Sequence, residues 1–390
     1  MAQHSTASPI ALALPAACVG ATQSLLVIAL PLLLALTGLE VWQLSPLLGL
    51  AALGFLVGGY AWPRRAVPGQ RRRLLARLLC AATISQALFV AIVFAGAHGL
   101  FGAAALTIAL FAARFAYALT ASGVFPTVQA WLTSEYPAHS RHAALTRMSA
   151  AVNTGRVLVP LATAALAILW PETPLALLVA LPLAACLLLP REHAAEPGMP
   201  IPIQNQRLPE TAVVLPAALA HMSLALAEFI IGPYLSAEWG IAIERAPAYT
   251  ALLLAGAAAC MVTTQLVSLY KRPNPGSLLT WAPAGMALGA AIAATYPPAL
   301  PVGLALVAIA LALLLPALVT GAAAGRNPRG QAPASADLYV ARILGHLLGV
   351  VAAGPLFELT PRLPLATAAA LALVVIPSGA GLRRALATNP

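Results

Sequence analysis

Charge is scarce in this 390-residue chain. Only 8% of its residues are Asp, Glu, Lys or Arg, and of the 21 basic residues Lys271 alone is lysine. A soluble domain carries about a quarter charged residues, so an ordinary water-facing surface is excluded. The chain also lacks the long polar stretches that a soluble catalytic domain requires. No nucleophile–base pair, metal-ligand cluster or glycine-rich phosphate loop stands out, so no catalytic residue, cofactor or metal is expected. Four cysteines (Cys18, Cys80, Cys186, Cys260) fall inside apolar runs with no CxxC or Cys/His spacing. They read as small core residues, not as disulfides or metal ligands. Missing too is the apolar/polar alternation of a barrel strand.

What remains is apolar. Hydrophobic residues make up 61% of the chain and the mean hydropathy is +0.89. Twelve apolar segments follow one another, at 10–36, 45–62, 78–97, 102–128, 144–169, 173–190, 211–234, 247–269, 277–296, 300–320, 338–357 and 364–381. Each is near the ~20 residues that cross a bilayer as a helix. The expected fold is therefore an all-α polytopic membrane protein with about twelve transmembrane helices. Interior prolines such as Pro31 and Pro160 do not veto these spans, because neighbouring helices can satisfy the freed backbone. The N-terminal MAQHSTASPI lacks the basic region of a secretory signal, so the first apolar run reads as an uncleaved helix.

The net charge of +10 would suit nucleic acid only if it were clustered on a domain. Instead it alternates with the helices. Seventeen basic residues fall in connections on one side, from Arg64 and Arg65 to Arg383 and Arg384, while the other side holds only Arg245 and Arg362. The positive-inside rule then places both termini in the cytoplasm. The arginine preference and abundant alanine suit a GC-rich bacterial genome, hence an inner (plasma) membrane. Six tryptophans (Trp42, Trp62, Trp131, Trp170, Trp239, Trp281) sit at or near expected helix ends, as an aromatic belt requires.

The longest polar stretch, residues 191–210, divides the chain into an N-terminal six-helix bundle (1–190) and a C-terminal one (211–390). The halves echo each other. TRMSAAVNTGRVLVPL and VARILGHLLGVVAAGPL place Arg147 and Arg342, and likewise Pro160 and Pro355, 195 residues apart. Two pseudo-symmetric bundles in parallel repeat are a pattern of secondary transporters, with the substrate site at the repeat interface.

Three local patterns carry a resemblance to the major facilitator superfamily. GGYAWPRRAVPGQRRRLL, with Gly69 and Arg71, is similar to the family's Gly- and Arg-rich signature loop. ALFAARFAYALTASG is similar to the fourth helix, with Arg114 at the buried arginine. GRVLVPLATA is similar to the antiporter signature GxxxGPxxGG: Gly155 and Pro160 match, Val159 replaces a glycine, and Ala162 and Ala164 keep the small-residue character. No Asp occurs between residues 54 and 77, where the family loop carries one that latches the cytoplasmic gate. The resemblance implies alternating access, with two bundles rocking about a central cavity. Small residues would permit the sliding: Gly155, Ala162 and Ala164 in one half, Gly345, Gly349, Gly354 and Pro355 in the other. AEFIIGPYLSAEWG and TTQLVSLYKRPNPGSLL further resemble bacterial drug and siderophore exporters.

Of the eleven acidic residues, only Glu228 lies well within an expected helix. A charge at the bilayer centre costs at least ~2.5–3.5 kcal/mol. A carboxyl that gains and loses a proton as its cavity changes sides can carry that proton. Glu228 is thus the candidate proton-coupling group, with His221 two turns earlier on the same face. The alternative is a structural hydrogen bond or a wet outer position. Arg114 and Arg156 are expected to face a cavity, a partner helix or an anionic substrate; Arg114 serves either as the partner of Glu228 or as a bidentate grip on carboxylate or phosphate. Gln23, Ser24, Asn153 and Tyr234 are further candidates for substrate contact, each equally suited to an inter-helix bond. The reading is a proton-coupled exporter of a small anionic or zwitterionic molecule such as a siderophore or drug, acting as a monomer in the lipid bilayer. An uptake symporter uses the same parts, and a non-transporting receptor is the reading from another class.

Overall fold

The structure is a computed structural model that describes residues 9–62, 65, 69–135, 138–190, 211–271, 273–324 and 328–388. These residues form sixteen helices, among them no strand. In order they are α1 (Pro9–Thr37), α2 (Val41–Ala51), α3 (Leu53–Ala61), α4 (Arg71–Ala97), α5 (Ala103–Ala121), α6 (Val124–Glu135), α7 (Ala138–Ala167) and α8 (Thr173–Leu187). Then come α9 (Thr211–Phe229), α10 (Ile231–Trp239), α11 (Ala246–Lys271), α12 (Pro275–Thr295), α13 (Leu300–Ala323), α14 (Pro328–Leu359), α15 (Leu363–Ser378) and α16 (Ala380–Thr388). The connection 191–210 and the side chains of Arg64, Arg141, Arg191, Arg207, Arg272, Arg326 and Arg329 lie outside the described residues.

Eleven helical stretches are long and apolar enough to cross a membrane, and α8 is a shorter apolar helix of 15 residues. Together they make a multi-pass, all-α membrane protein with twelve apolar segments. Several boundaries differ from the sequence reading. The expected helix 45–62 is split at Ala52, the helix 102–128 at Ser122–Gly123, and the helix 211–234 at Ile230. α8 spans about 22 Å at 1.5 Å per residue, and Pro190 keeps the residue before it out of the helical region. α14 begins ten residues before the expected start, so Asp337 lies inside a helix and is buried.

The chain separates into two compact units, one made of Met1–Gly38 with Ala51–Ile203, the other of Leu39–Leu50 with Gln204–Pro390. The first unit packs α1, α4, α6 and α8 around Leu12, Leu75, Leu79, Val128, Trp131 and Leu132. Trp131 is therefore a core residue (1% exposed) and not part of an aromatic belt, because α6 continues past it to Glu135. Trp42, Trp170 and Trp281 are exposed as an interface position requires.

In the second unit small residues set the spacing. A methyl group added at Gly289 would lie 2.6 Å from the Gly303 carbonyl oxygen, so α12 and α13 touch backbone to backbone. Gly345 abuts the Ala218 carbonyl, and a methyl at Gly349 would lie 2.6 Å from that of Met222. Each step of four along α14 matches a step of four along α9, so these helices run parallel and in step. Gly155 of the first unit is looser: a methyl there would meet Ala17 Cβ at 3.4 Å.

Gly349→Ala should lower the melting midpoint in detergent, by the ~1–3 kcal/mol of core overpacking. Gly256→Ala, where the added methyl meets nothing within 4 Å, should leave it unchanged or raised. Equal effects of the two would show that α9 and α14 are not in close contact.

Candidate functional site

Each unit holds its own polar cluster. In the first, Arg114 of α5 is 3% exposed. Its Nη1 donates to Gln86 Oε1 of α4 at 3.5 Å, and its guanidinium carbon stands 4.6 Å from the centre of the Tyr117 ring. Tyr117 is three residues on, hence on the same helical face, and its ring meets Phe55 of α3 edge-on at 6.5 Å. The Tyr117 hydroxyl shares a short hydrogen bond with Thr22 Oγ1 of α1, while Thr22 donates to the Val19 carbonyl at 2.7 Å. Gln86 is fully buried, and its Nε2 has no hydrogen-bond partner. The guanidinium thus sits among neutral groups, and among the described residues its partners include no carboxylate. A buried cation without a counter-charge is costly; an anion entering beside it would relieve that cost.

Four other sequence candidates lie on α1 and α7, two helices that pack against each other. Gly20, Gln23 and Ser24 follow helical spacing on α1, and Asn153 and Arg156 do so on α7; all are half-buried. A methyl on Gly20 would lie 3.9 Å from Arg156 Nε, so the arginine stem crosses α1 at its glycine. Arg114 is linked to α1 through Tyr117 and Thr22. Gly69 adopts φ +79 at the turn into α4, a left-handed conformation that glycine tolerates, and Arg71 is buried in the first turn.

In the second unit the charges form a ladder. His221 of α9 is buried, with Nδ1 2.8 Å from the Ala217 carbonyl oxygen of its own helix. Glu228 is half-buried two turns further on. Arg342 of α14 interacts electrostatically with both His221 and Glu228. In the register set by Gly345 and Gly349, Arg342 stands below His221 and Glu228 stands above it.

Glu228 also marks a break. α9 stops at Phe229 and α10 starts at Ile231. Pro233 has no N–H to offer the Phe229 carbonyl, so the chain resumes on Tyr234 N bonding Ile230 O at 2.8 Å. α10 is held firmly. The Tyr234 hydroxyl donates to the Ala293 carbonyl at 2.7 Å, and Trp239 Nε1 donates to that of Pro297 at 3.0 Å. Tyr234 is therefore an anchor with its hydroxyl engaged. Beyond the apolar stretch, Arg362 grips Glu238 through Nε (3.0 Å) and Nη2 (2.7 Å). This hold pulls the Glu238 carboxyl below the ordinary range.

Gly354 and Pro355 share one device. Pro355 cannot donate to the Val351 carbonyl, which instead accepts from Ser45 Oγ at 3.3 Å; Gly354 N donates back to that oxygen at 2.9 Å. Only glycine allows this approach, since a methyl at 354 would lie 2.5 Å from Ser45 Oγ. A cavity of about 170 Å³ lies elsewhere in this unit, between Ser268, Pro273, Leu278, Pro316 and Thr320; among the described residues no ionisable side chain lines it.

Sequence reading missed Thr22, Gln86, Tyr117 and Arg342. The charge count puts Arg342 among the basic residues of a connection, although it falls inside the expected span 338–357; it lies within α14. Among the described residues no three His, Cys, Asp or Glu side chains gather as metal ligands.

No protein-family model matches the chain, and no curated protein matches it in sequence. Solved structures do. A bacterial homologue of the human lysosomal transporter Spinster, inward-facing and unoccupied, is similar at 20% identity, covering 98% of this chain and 97% of that one, with a TM-score of 0.69. A D-xylose–proton symporter is similar at 14% identity (96% and 98% covered, TM-score 0.65). The human organic anion transporter MFSD10 is similar at 15% (96% and 100%, TM-score 0.63). The likeness shows the fold: the all-helical architecture of these transporters.

A carboxyl held below its ordinary pKa stabilises the fold above that value, and the contribution is lost as pH falls through the lowered one. Glu238→Gln should therefore lower the melting midpoint slightly at pH 7, and the two proteins should converge as pH falls through the lowered value. A constant gap down to the acid limit would mean the pair does not anchor α10.

Proposed function

We propose that this protein is a proton-coupled secondary transporter that works by alternating access and exports a small anionic or zwitterionic organic molecule across a bacterial inner membrane. The observation that carries the reading is a carboxylate at a helix break in one unit and, in the other, a buried guanidinium whose partners are neutral. Intramembrane ionisable residues cost energy and are retained for function. The fold supports transport rather than catalysis. The similar proteins include an organic anion transporter and a proton symporter, which fits an anion and a proton as the two passengers.

Glu228 takes the role of proton carrier. Loss of its proton leaves a negative charge beside the α9–α10 break, within reach of the Arg342 field. His221, between Arg342 and Glu228 on the ladder, is placed to pass the proton along α9. Arg114 takes the role of anion receptor, with Gln86 Nε2 offering a further donor beside it. Gln23, Ser24, Asn153 and Arg156 supply the more accessible polar stripe on which a polyfunctional anion is held. Carboxylate-rich chelators such as siderophores suit two arginines. Two half-chain bundles joined by residues 191–210, with cytoplasmic termini, complete the proposal.

The direct test compares small molecules inside and outside cells with and without the gene, in iron-poor and iron-rich medium. Export predicts a compound that disappears from the medium and accumulates within the mutant; an iron chelator would name the siderophore class. A nutrient left unconsumed would reverse the direction to uptake. Glu228→Gln should abolish accumulation driven by a pH gradient while preserving substrate exchange; retained uphill transport would remove Glu228 from the coupling role. Arg114→Lys should reduce transport about tenfold or more, since lysine cannot grip bidentately. Near-normal transport would make Arg114 a structural charge.

A further inference from the structure

Two of the four cysteines meet. Cys80 of α4 and Cys186 of α8, 106 residues apart in sequence, place their sulfurs 3.2 Å from each other. The contact is set by the packing of the two helices. Cys186 Sγ also donates to the Ala76 carbonyl at 3.7 Å, one turn before Cys80 on α4. Another turn back, Arg72 Nε donates to the Pro190 carbonyl at 3.1 Å, one turn beyond Cys186. Residues 72, 76 and 80 therefore form one face of α4, and 186 and 190 meet it in antiparallel register. Cys80 is exposed and Cys186 is half-buried, whereas Cys18 is sealed in the core. Ile84, one turn along from Cys80, is exposed as well, so the thiol pair lies on the outer, lipid-facing side of the first unit, open to a small neutral oxidant such as peroxide.

We propose that Cys80 and Cys186 are a redox modification site, joined by peroxide into a disulfide that staples α4 to α8. The sulfurs must close by about 1 Å to reach bonding distance. One sulfur attacks a peroxide oxygen. The O–O bond breaks, a sulfenic acid forms, and the other oxygen leaves as water with the thiol proton. The second thiol then attacks that sulfur; the S–O bond breaks and the hydroxyl leaves as a second water with the remaining proton. Two thiols lose two electrons and two protons, and one peroxide becomes two waters. A dithiol reductant reverses the link by exchange.

The test uses the purified full chain in lipid nanodiscs, treated with hydrogen peroxide, then unfolded and alkylated. Alkylatable thiols should fall from four to two, and digestion should yield one cross-linked peptide joining Cys80 to Cys186. A dithiol should restore all four. The oxidised protein should also melt higher than the reduced one, and that shift should vanish in Cys186→Ser, which keeps the fold. Separate sulfinic or sulfonic acids at the two positions with no cross-linked peptide would overturn the proposal. So would a disulfide that recruits Cys260, or a melt that oxidation leaves unchanged.

Discussion

A helix that crosses a bilayer has no water to receive an unmet carbonyl, and proline creates such a carbonyl wherever it enters or closes a helix. Much of the second unit is arranged around that constraint. Pro355 frees the Val351 carbonyl, and Ser45 fills it. Pro297 denies a partner to Ala293, and the Tyr234 hydroxyl supplies one. Pro283 frees Leu279, and Arg383 reaches it at 3.4 Å while donating to Ile376 at the end of α15 at 2.6 Å. Each repair joins two helices, so each proline that weakens one element fastens it to another. Close approach at Gly354 makes the Ser45 bridge possible.

The break after Glu228 follows the same logic with a different outcome. Pro233 frees the Phe229 carbonyl at the place where the chain also carries its intramembrane acid. α10 is anchored by Tyr234, Trp239 and Glu238, so the interruption is confined to the junction. A carboxyl beside a broken helix turn has polar backbone for company in both protonation states, which lowers the cost of changing between them. In the first unit the solution is opposite. Arg114 is enclosed by a ring, an amide and a hydroxyl network, which hold it in place without neutralising it. In the proposal, one unit thus keeps the proton-carrying carboxyl and the other a fixed cation.

The crossings were legible because an apolar run of spanning length suits little besides a membrane helix, and the scarcity of acids made Glu228 conspicuous. The interruptions at Ala52, Ser122–Gly123 and Ile230 were not, since a continuous hydropathy signal is blind to a missing hydrogen bond. Trp131 was misplaced because an aromatic near a span end looks the same whether it faces lipid headgroups or a core of leucines. Thr22, Gln86 and Tyr117 escaped notice because single neutral polar residues are common in apolar helices and acquire meaning only when packing brings them to Arg114. The Cys80–Cys186 contact joins segments 106 residues apart, and no local pattern announces it.

The central claim is that a proton crosses in exchange for the substrate. It is tested by reconstituting the purified chain in liposomes loaded with a pH-sensitive dye, with no imposed gradient, and adding the substrate identified from cells. The account predicts that substrate flow by itself shifts the internal pH, and that the shift disappears in Glu228→Gln while labelled substrate still exchanges. Steady internal pH during full substrate flux through the unaltered protein would contradict it.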